Sequence, residues 1–413
     1  MFLDLMLRER NSSLIQGEEY MNKIFGSLVL LSVVIAFVSC SSTPSASQDV
    51  TGPKVIGSTK KAVILEYTED RTEFFASPVK ETGETGLVNG DADDPAIWIH
   101  PTDPDRSLIF GVDKSDGLWV WNMEGEELAA IDIWGKPGNV DVRYGLNLGG
   151  GSVAIVAVNI RKVKYVAGSK AAVFAINPDW TSGDDVLTVL ADGQSEGNDI
   201  TLGTYGMGLY QNPADGKIYL FENASTGSIK QFLIEDDGSG EAVKLTLVRE
   251  LNYPGDTCEG MVADDQLGFI YIGEEDTAVR KYYADPSMPN DVVSSFAFAE
   301  DGYSRDREGL SLYNCADGTG YLLVVDQGDA SNQIASIIRI YERQGDNKFV
   351  KTIALLDRDG NPMWDEDGIG SSSAPIPPLF PNGIVIGHDG ANSTYPLYDW
   401  RDIAGSELAV CGE

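Results

Sequence analysis

Carboxylates cluster in this chain at spacings that call for a cation. Asp91-Ala92-Asp93-Asp94-Pro95-Ala96-Ile97-Trp98 puts three of them into four positions, directly ahead of an apolar run. Charges that close repel one another, and a bound divalent ion is the usual relief. Asn139-Val140-Asp141-Val142-Arg143 follows, where strand alternation sets Asn, Asp and Arg on one face. Glu259, then Glu274-Glu275-Asp276, then Asp306 and Glu308, then Asp365-Glu366-Asp367 continue the series. Oxygen donors of this kind suit a hard ion such as Ca²⁺.

What is missing narrows the chemistry further. The two histidines, His100 and His388, lie in no R-H-G, H-C-x₅-R or H-E-x-x-H context. That excludes histidine- and cysteine-nucleophile phosphatases and zinc hydrolases built on histidine ligands. Catalysis is left to carboxylates, a metal, Lys, Arg and Tyr. The formal charge of −34, from 64 acidic and 30 basic residues, speaks against nucleic acid as a partner and fits either cation binding or plain solubility.

Residues so far apart in sequence need a fold that gathers them. Past the first sixty residues no run carries a sustained helical period, whereas short β-rich runs bounded by Gly, Asp and Asn recur. A repeated unit is visible: an apolar strand, an acidic or polar turn, a second strand. Leu108–Val112 leads to Leu118–Trp121, Ile218–Phe221 to Ile229–Ile234, Phe269–Ile272 to Val279–Tyr283, and Tyr321–Val325 to Ile337–Tyr341. A fainter copy joins Val153–Val158 to Ala172–Ile176. The spacing of roughly 50 to 60 residues is that of propeller blades. With a partial unit contributed near Lys61–Tyr67 and Ile384–His388, the expectation is an all-β, six-bladed β-propeller whose first and last segments share a blade. The alternative is a β-sandwich with long insertions. In a propeller, equivalent ends of all blades converge, so distant carboxylates can share one basin. Asp116, Asp264 and Asp265 read as strand caps or ligands of structural calcium, and Trp98, Trp119 and Trp121 as packing between blades.

Seven segments resemble the β-propeller phytases, also called alkaline phytases. They are Asp91–Trp98, Gly138–Tyr144, Cys258–Asp265, Ile270–Asp276, Asp306–Tyr313, Gly320–Gly328 and Tyr341–Val350, in the family's order and over nearly all of the chain after about residue 60. The resemblance implies a calcium-dependent 3-phytase-type hydrolase acting on myo-inositol hexakisphosphate (phytate) or its calcium complex. Several Ca²⁺ ions and two neighbouring phosphate subsites, one cleaving and one holding, come with it. Carried over by motif, Asp93, Asp94, Glu259, Glu275 and Glu308 are calcium ligands, with the three glutamates also orienting the attacking water. Asp91 and Asp367 join the metal set, and Asp141 and Asp276 support it or the blades. Lys114 and Arg161 grip phosphate at the cleavage subsite, Tyr205 belongs to the holding subsite, and Gln327 orders solvent. Water attacks directly, with no covalent phosphoenzyme. The chain departs from the pattern at Gly138, where Asn is usual, and at Asn223–Gly227, which lacks a Lys-acid pair. Two other readings stay open: a lactonase-like calcium propeller hydrolase, and a non-catalytic binder of phosphorylated ligands.

The N-terminus reads as an address. Met21-Asn-Lys-Ile-Phe precedes an apolar run, Gly26–Val38, and then Ser39-Cys40-Ser41. A run this short after a basic start is a signal peptide. The chain therefore divides into residues 1–39 (an upstream extension and signal), a tether at 40–60 and a propeller at 61–413. Export is expected, either with lipid on Cys40 anchoring the protein to a membrane or with free release. No other membrane contact is expected, and the protein is taken as a monomer. Cys258, Cys315 and Cys411 allow one bridge and one remaining thiol, with nothing in their spacing to choose the pair.

Overall fold

A computed structural model describes residues 77–411 apart from 225, 226, 254, 256 and 329–333, together with three stretches of backbone, 54–56, 64–69 and 72–75. The export segment and Cys40 lie outside the described residues, as do Ser225 and Thr226 of the Asn223–Gly227 turn.

The second and third strands of the first blade are almost wholly apolar. Leu108–Asp113 and Gly117–Trp121 are buried at every position, because each blade is covered on both faces by its neighbours. Full burial of such side chains is worth roughly 1.5–3 kcal/mol apiece. Outer strands such as Val243–Glu250 are mostly exposed and carry charge. This gradient, apolar inside and polar at the rim, separates blade from blade in the sequence.

Six sheets form the propeller. The first is Ala92–Trp98, Leu108–Asp113, Gly117–Trp121 and Glu127–Ile131. The second is Gly135–Leu148, Gly151–Val163, Lys170–Ile176 and Leu187–Ala191. The third runs from Thr204–Gln211 to Val243–Glu250 and the fourth from Cys258–Asp264 to Ser294–Phe296. The fifth, Arg307–Asn314 to Phe349–Leu356, takes Ser77–Lys80 as an added parallel edge strand. The sixth combines Gly370–Ser372, Ile384–Ile386 and Pro396–Asp399 with the early strand Gly83–Glu84. Each innermost strand packs on the next, and Gly370–Ser372 returns to Ala92–Trp98 to close the ring.

Ends of the chain do share a blade, but through a different segment from the one expected. Gly83–Glu84 completes the sixth sheet, while Ile64–Glu69 pairs with Lys54–Ile56 and Thr72–Phe75 in a separate three-stranded sheet. A disulfide joins Cys315, just past the innermost strand of the fifth blade, to Cys411; Cys258 is the buried free thiol.

Close approach of neighbouring blades depends on glycine. A Cβ on Gly206 would overlap the Glu259 carbonyl oxygen, and one on Gly260 would overlap that of Glu308. The innermost strands enclose a channel of about 270 Å³ lined by Asp94, Asn139, Asp141, Arg143, Asp264 and Asp265.

Candidate active site

Strand direction decides which residues meet. In each blade the hairpin between second and third strands and the connection entering the first strand lie at one end of the ring. Asp93, Tyr205, Glu259, Glu308 and Asp367 stand at or just before first strands; Lys114, Glu275, Gln327 and His388 stand in or beside the hairpins; Arg161 ends a second strand. All ten therefore face the same end.

Lys114 is set by its turn. The buried Asp113 carboxylate accepts from the backbone N–H of Gly90, Asp91 and Ser115 at 2.8, 2.9 and 2.8 Å, docking the acidic segment on the hairpin. The Lys114 N–H donates to the Asp91 carbonyl at 2.8 Å. Its ammonium then lies 2.9 Å from Asp93 Oδ1 and 3.0 Å from Asp367 Oδ2. Burial opposes the Lys114 charge, but Asp93 and Asp367 outweigh it and push the pKa up. Asp93 is 1% exposed; desolvation raises its pKa against the pull of Lys114 and Arg161.

Arg161 is held from three sides. Its guanidinium pairs with Glu259, lies 3.6 Å from Asp93 Oδ2 and stacks over the Tyr205 ring at 4.3 Å. Beneath it, buried Asn159 accepts from the Asn139 N–H at 2.7 Å and donates to the Tyr205 carbonyl at 2.9 Å. Asn159 thus ties the second blade to the third, a positioning role with no motif of its own. Asn223, from the divergent turn, is consumed in the same way: it accepts from the Gly206 N–H at 2.5 Å and donates to the Cys258 carbonyl at 2.6 Å.

Glu259, Glu275 and Glu308 converge, each with a carboxylate oxygen within 4.8 Å of the other two. Glu275 Oε1 and Glu308 Oε2 are buried without a hydrogen-bond partner. Desolvation raises the Glu275 pKa to about 7, with Asp306 and Asp276 adding to it. Glu308 is pushed well above the carboxylate range by burial, then by Asp367 and Glu275. Three hard oxygen donors with buried, unsatisfied lone pairs fit a divalent cation such as Ca²⁺.

Asp367 is the hinge between this cluster and Lys114. Its carboxylate accepts from Gln327 Nε2 at 2.6 Å, and its N–H donates to His388 Nδ1 at 2.9 Å. Burial opposes its ionisation, yet His388 and Lys114 hold its pKa below the usual value. His388, outside any histidine motif, is a scaffold residue here.

The converging group takes in none of the remaining expected metal residues among the described residues. Asp94 lines the channel and accepts from the Val140 N–H at 3.1 Å; burial, then Asp93, raise its pKa well above normal. Asp141, also in the channel, gives one oxygen to Arg143 at 2.8 Å and the other to the Leu209 N–H at 2.8 Å. Asp91 is exposed and borders a hollow with Asp365, Asp367 and His388. Asp276 is exposed beside Glu275. A G-x-S-x-G spacing does occur at Gly193–Gly197, but Ser195 caps an Asp192 turn at 3.1 Å and no helix follows, so it builds no nucleophile elbow.

Comparison with known proteins agrees with this geometry. A family model described as Phytase matches residues 50–396. The protein named 3-phytase of Bacillus subtilis (strain 168) is 30% identical over 355 residues, covering 84% of this chain and 89% of that relative. Matched over most of its length by that family model and by this relative, this chain belongs to the phytase family.

Proposed function

We propose that this end of the propeller releases phosphate from myo-inositol hexakisphosphate or its calcium complex, with Ca²⁺ as cofactor and water as the nucleophile. The carrying observation is the opposition of Lys114 and Arg161 to Glu259, Glu275 and Glu308. Two cations are available for phosphoryl oxygens beside three carboxylates suited to a hard ion. A neutral ester, as a lactonase would take, has no use for that cationic pair.

Arg161 offers a planar fork for two phosphoryl oxygens, and the stacked Tyr205 ring fixes the plane of that fork. Lys114 adds a point charge from the neighbouring blade. Both cations are engaged by carboxylates in the structure, so a phosphate must displace Asp93, Asp367 and Glu259 to reach them. A cation held by Glu259 would leave Arg161 free to face substrate. Glu259, Glu275 and Glu308 would hold the Ca²⁺, which would supply charge neutralisation and a water of lowered pKa. Gln327 keeps a buried carbonyl oxygen without a partner, available to accept from solvent. Metal-assisted attack by water requires no covalent intermediate.

The test is phosphate release from phytate at neutral to mildly alkaline pH, with calcium and with chelator. Release that needs calcium supports the proposal, and no release in calcium-replete protein overturns it. Phosphorus NMR of the first product checks whether the 3-phosphate leaves first. Export is proposed as well, with Cys40 lipidated or the signal simply cleaved; labelling with a radioactive fatty acid, lost in Cys40→Ser, separates the two.

A further inference from the structure

The peptide group between Tyr205 and Gly206 is bonded on both sides by asparagine amides. Its carbonyl, that of Tyr205, accepts from Asn159 Nδ2 at 2.9 Å, and its N–H, that of Gly206, donates to Asn223 Oδ1 at 2.5 Å. The run continues in both directions. Asn159 Oδ1 accepts from the Asn139 N–H at 2.7 Å, and Asn223 Nδ2 donates to the Cys258 carbonyl at 2.6 Å. Side-chain amide and backbone peptide thus alternate from the second blade through the third to the fourth, with donation in one direction throughout. Both asparagines end second strands and are fully buried. Hydrogen bonds aligned head to tail in such an interior polarise and strengthen one another.

The run lies under the site. Arg161 follows Asn159 by two residues on the same strand face, and Gly138 packs against both side chains. Tyr205, whose carbonyl is in the run, carries the ring on which Arg161 stacks. The Cys258 carbonyl belongs to the peptide that leads into Glu259, which pairs with Arg161 and converges with Glu275 and Glu308. Gly206 packs directly on the Glu259 carbonyl, so a shift of its peptide is passed to that residue. The Arg161–Glu259 pair and the amide run therefore bridge the same interval, from the second blade to the fourth, by two routes. Phosphate and calcium must part the ion pair when they bind. The run, built of backbone and neutral side chains, is left intact.

We propose that Asn159 and Asn223 are positioning residues that act as one unit, fixing Glu259 relative to the Arg161 fork once phosphate and calcium have parted that pair. The inference rests on the phytase reading of the site. It makes Asn159 a determinant of calcium affinity, although its hydrogen bonds, to Asn139, Thr204 and Tyr205, reach none of the expected calcium ligands.

The experiment titrates calcium into metal-free protein by calorimetry, and follows the binding step that Glu275→Gln removes. The full chain is compared with Asn159→Ala, Asn223→Ala, the double variant and Gln231→Ala. Gln231 is another fully buried amide joining two blades, to the Ala284 carbonyl at 2.8 Å, but from the third strand of its blade, Ile229–Asp236. Each asparagine variant should weaken that step about tenfold, as loss of a partner that orients a metal ligand does. The double variant should fall no further than the more affected single one, because either break frees the same peptide. Gln231→Ala should melt lower with its calcium affinity unchanged. Unchanged affinity in Asn159→Ala, losses that multiply in the double variant, or an equal fall in Gln231→Ala overturns the proposal. Asn159→Asp keeps the acceptor for Asn139 and removes only the donor to Tyr205, and it gives the same reading should the alanine variant not fold. If Glu275→Gln removes no binding step, the reading of the site fails instead. Amide hydrogen exchange in metal-free protein then decides the run: faster exchange at Gly206 in Asn159→Ala supports it, and an unchanged rate overturns it.

Discussion

Gly138 lies directly against the Arg161 side chain. A Cβ at 138 would stand 2.6 Å from Arg161 Nε and 2.5 Å from Asn159 Oδ1, closer than real Cβ contacts come. Asn159 has no room to retreat, because both ends of its amide are bonded to backbone. The guanidinium must therefore move, and with it the fork aimed at phosphate. Gly138→Ala is expected to lower kcat/KM for phosphate release about tenfold to a hundredfold, as a misplacement of about 1 Å does. The fall should be absent in an Arg161→Ala background, which a double-mutant cycle measures directly.

Lys114 is both a proposed substrate contact and the counter-ion of a buried carboxylate. Removing it costs turnover, by about 10²–10³ for one lost transition-state donor. It also leaves Asp93, 1% exposed, beside Asp367 with less compensation. Breaking a buried pair from one side typically costs about 3–5 kcal/mol, less here because Arg161 still faces Asp93. Lys114→Ala should thus be inactive and also melt lower in chelator. Calcium-loaded and chelated melting curves test this, and Lys114→Arg should recover stability more than activity, since a fork replaces a point charge.

The blades were legible because burial on both faces writes strands such as Leu108–Asp113 as near-continuous apolar runs. The shared end of Lys114, Arg161 and Glu308 was legible only through the repeat, which fixes where each residue falls within its blade. Gly83–Glu84 was not: a two-residue strand has no period, and its place is set by pairing with Pro396 and Leu397. Asp141 shows a different limit. Alternation correctly puts it with Arg143, but depth along the strand, which sends it into the channel, leaves no trace in the pattern. Asn159 and Asn223 look like ordinary strand residues, although each bridges two blades by its amide. A signal for the site was nonetheless present: Tyr205, Glu259, Glu308 and Asp367 each precede a glycine, where one innermost strand closes on the next.

Cys315 and Cys411 should matter for stability and not for turnover. The bridge spans 96 residues and fastens the C-terminal segment, whose Trp400 ring stacks on Tyr313 at 3.6 Å. Closing a loop of that size is worth roughly 2–5 kcal/mol. Cys315 follows the far end of its innermost strand, opposite the end bearing Lys114 and Arg161. Cys411→Ser should therefore lower the melting temperature under oxidising conditions while changing kcat less than about twofold, the ordinary range for a site remote from the reacting groups. Reductant should reproduce the shift in the unsubstituted protein and leave Cys411→Ser unmoved.

Glu275 links pH, metal and stability. Burial, then Asp306 and Asp276, raise its pKa from 4.5 to about 7, so the folded state holds a proton that the unfolded chain has already lost. Its contribution is therefore present below pH 4.5 and fades as pH rises through 7; metal-free protein should lose stability across that window. Cation binding runs the other way, since the carboxylate must give up its proton to become a ligand. Calcium affinity should climb as pH rises through about 7, with protons released on binding. Calorimetry in buffers of different ionisation enthalpy counts those protons, and melting in chelator from pH 5 to 8 follows the stability. In Glu275→Gln both pH dependences should flatten, and the rise in melting temperature on adding calcium should shrink. A slope unchanged by that substitution would place the titrating group elsewhere in the cluster.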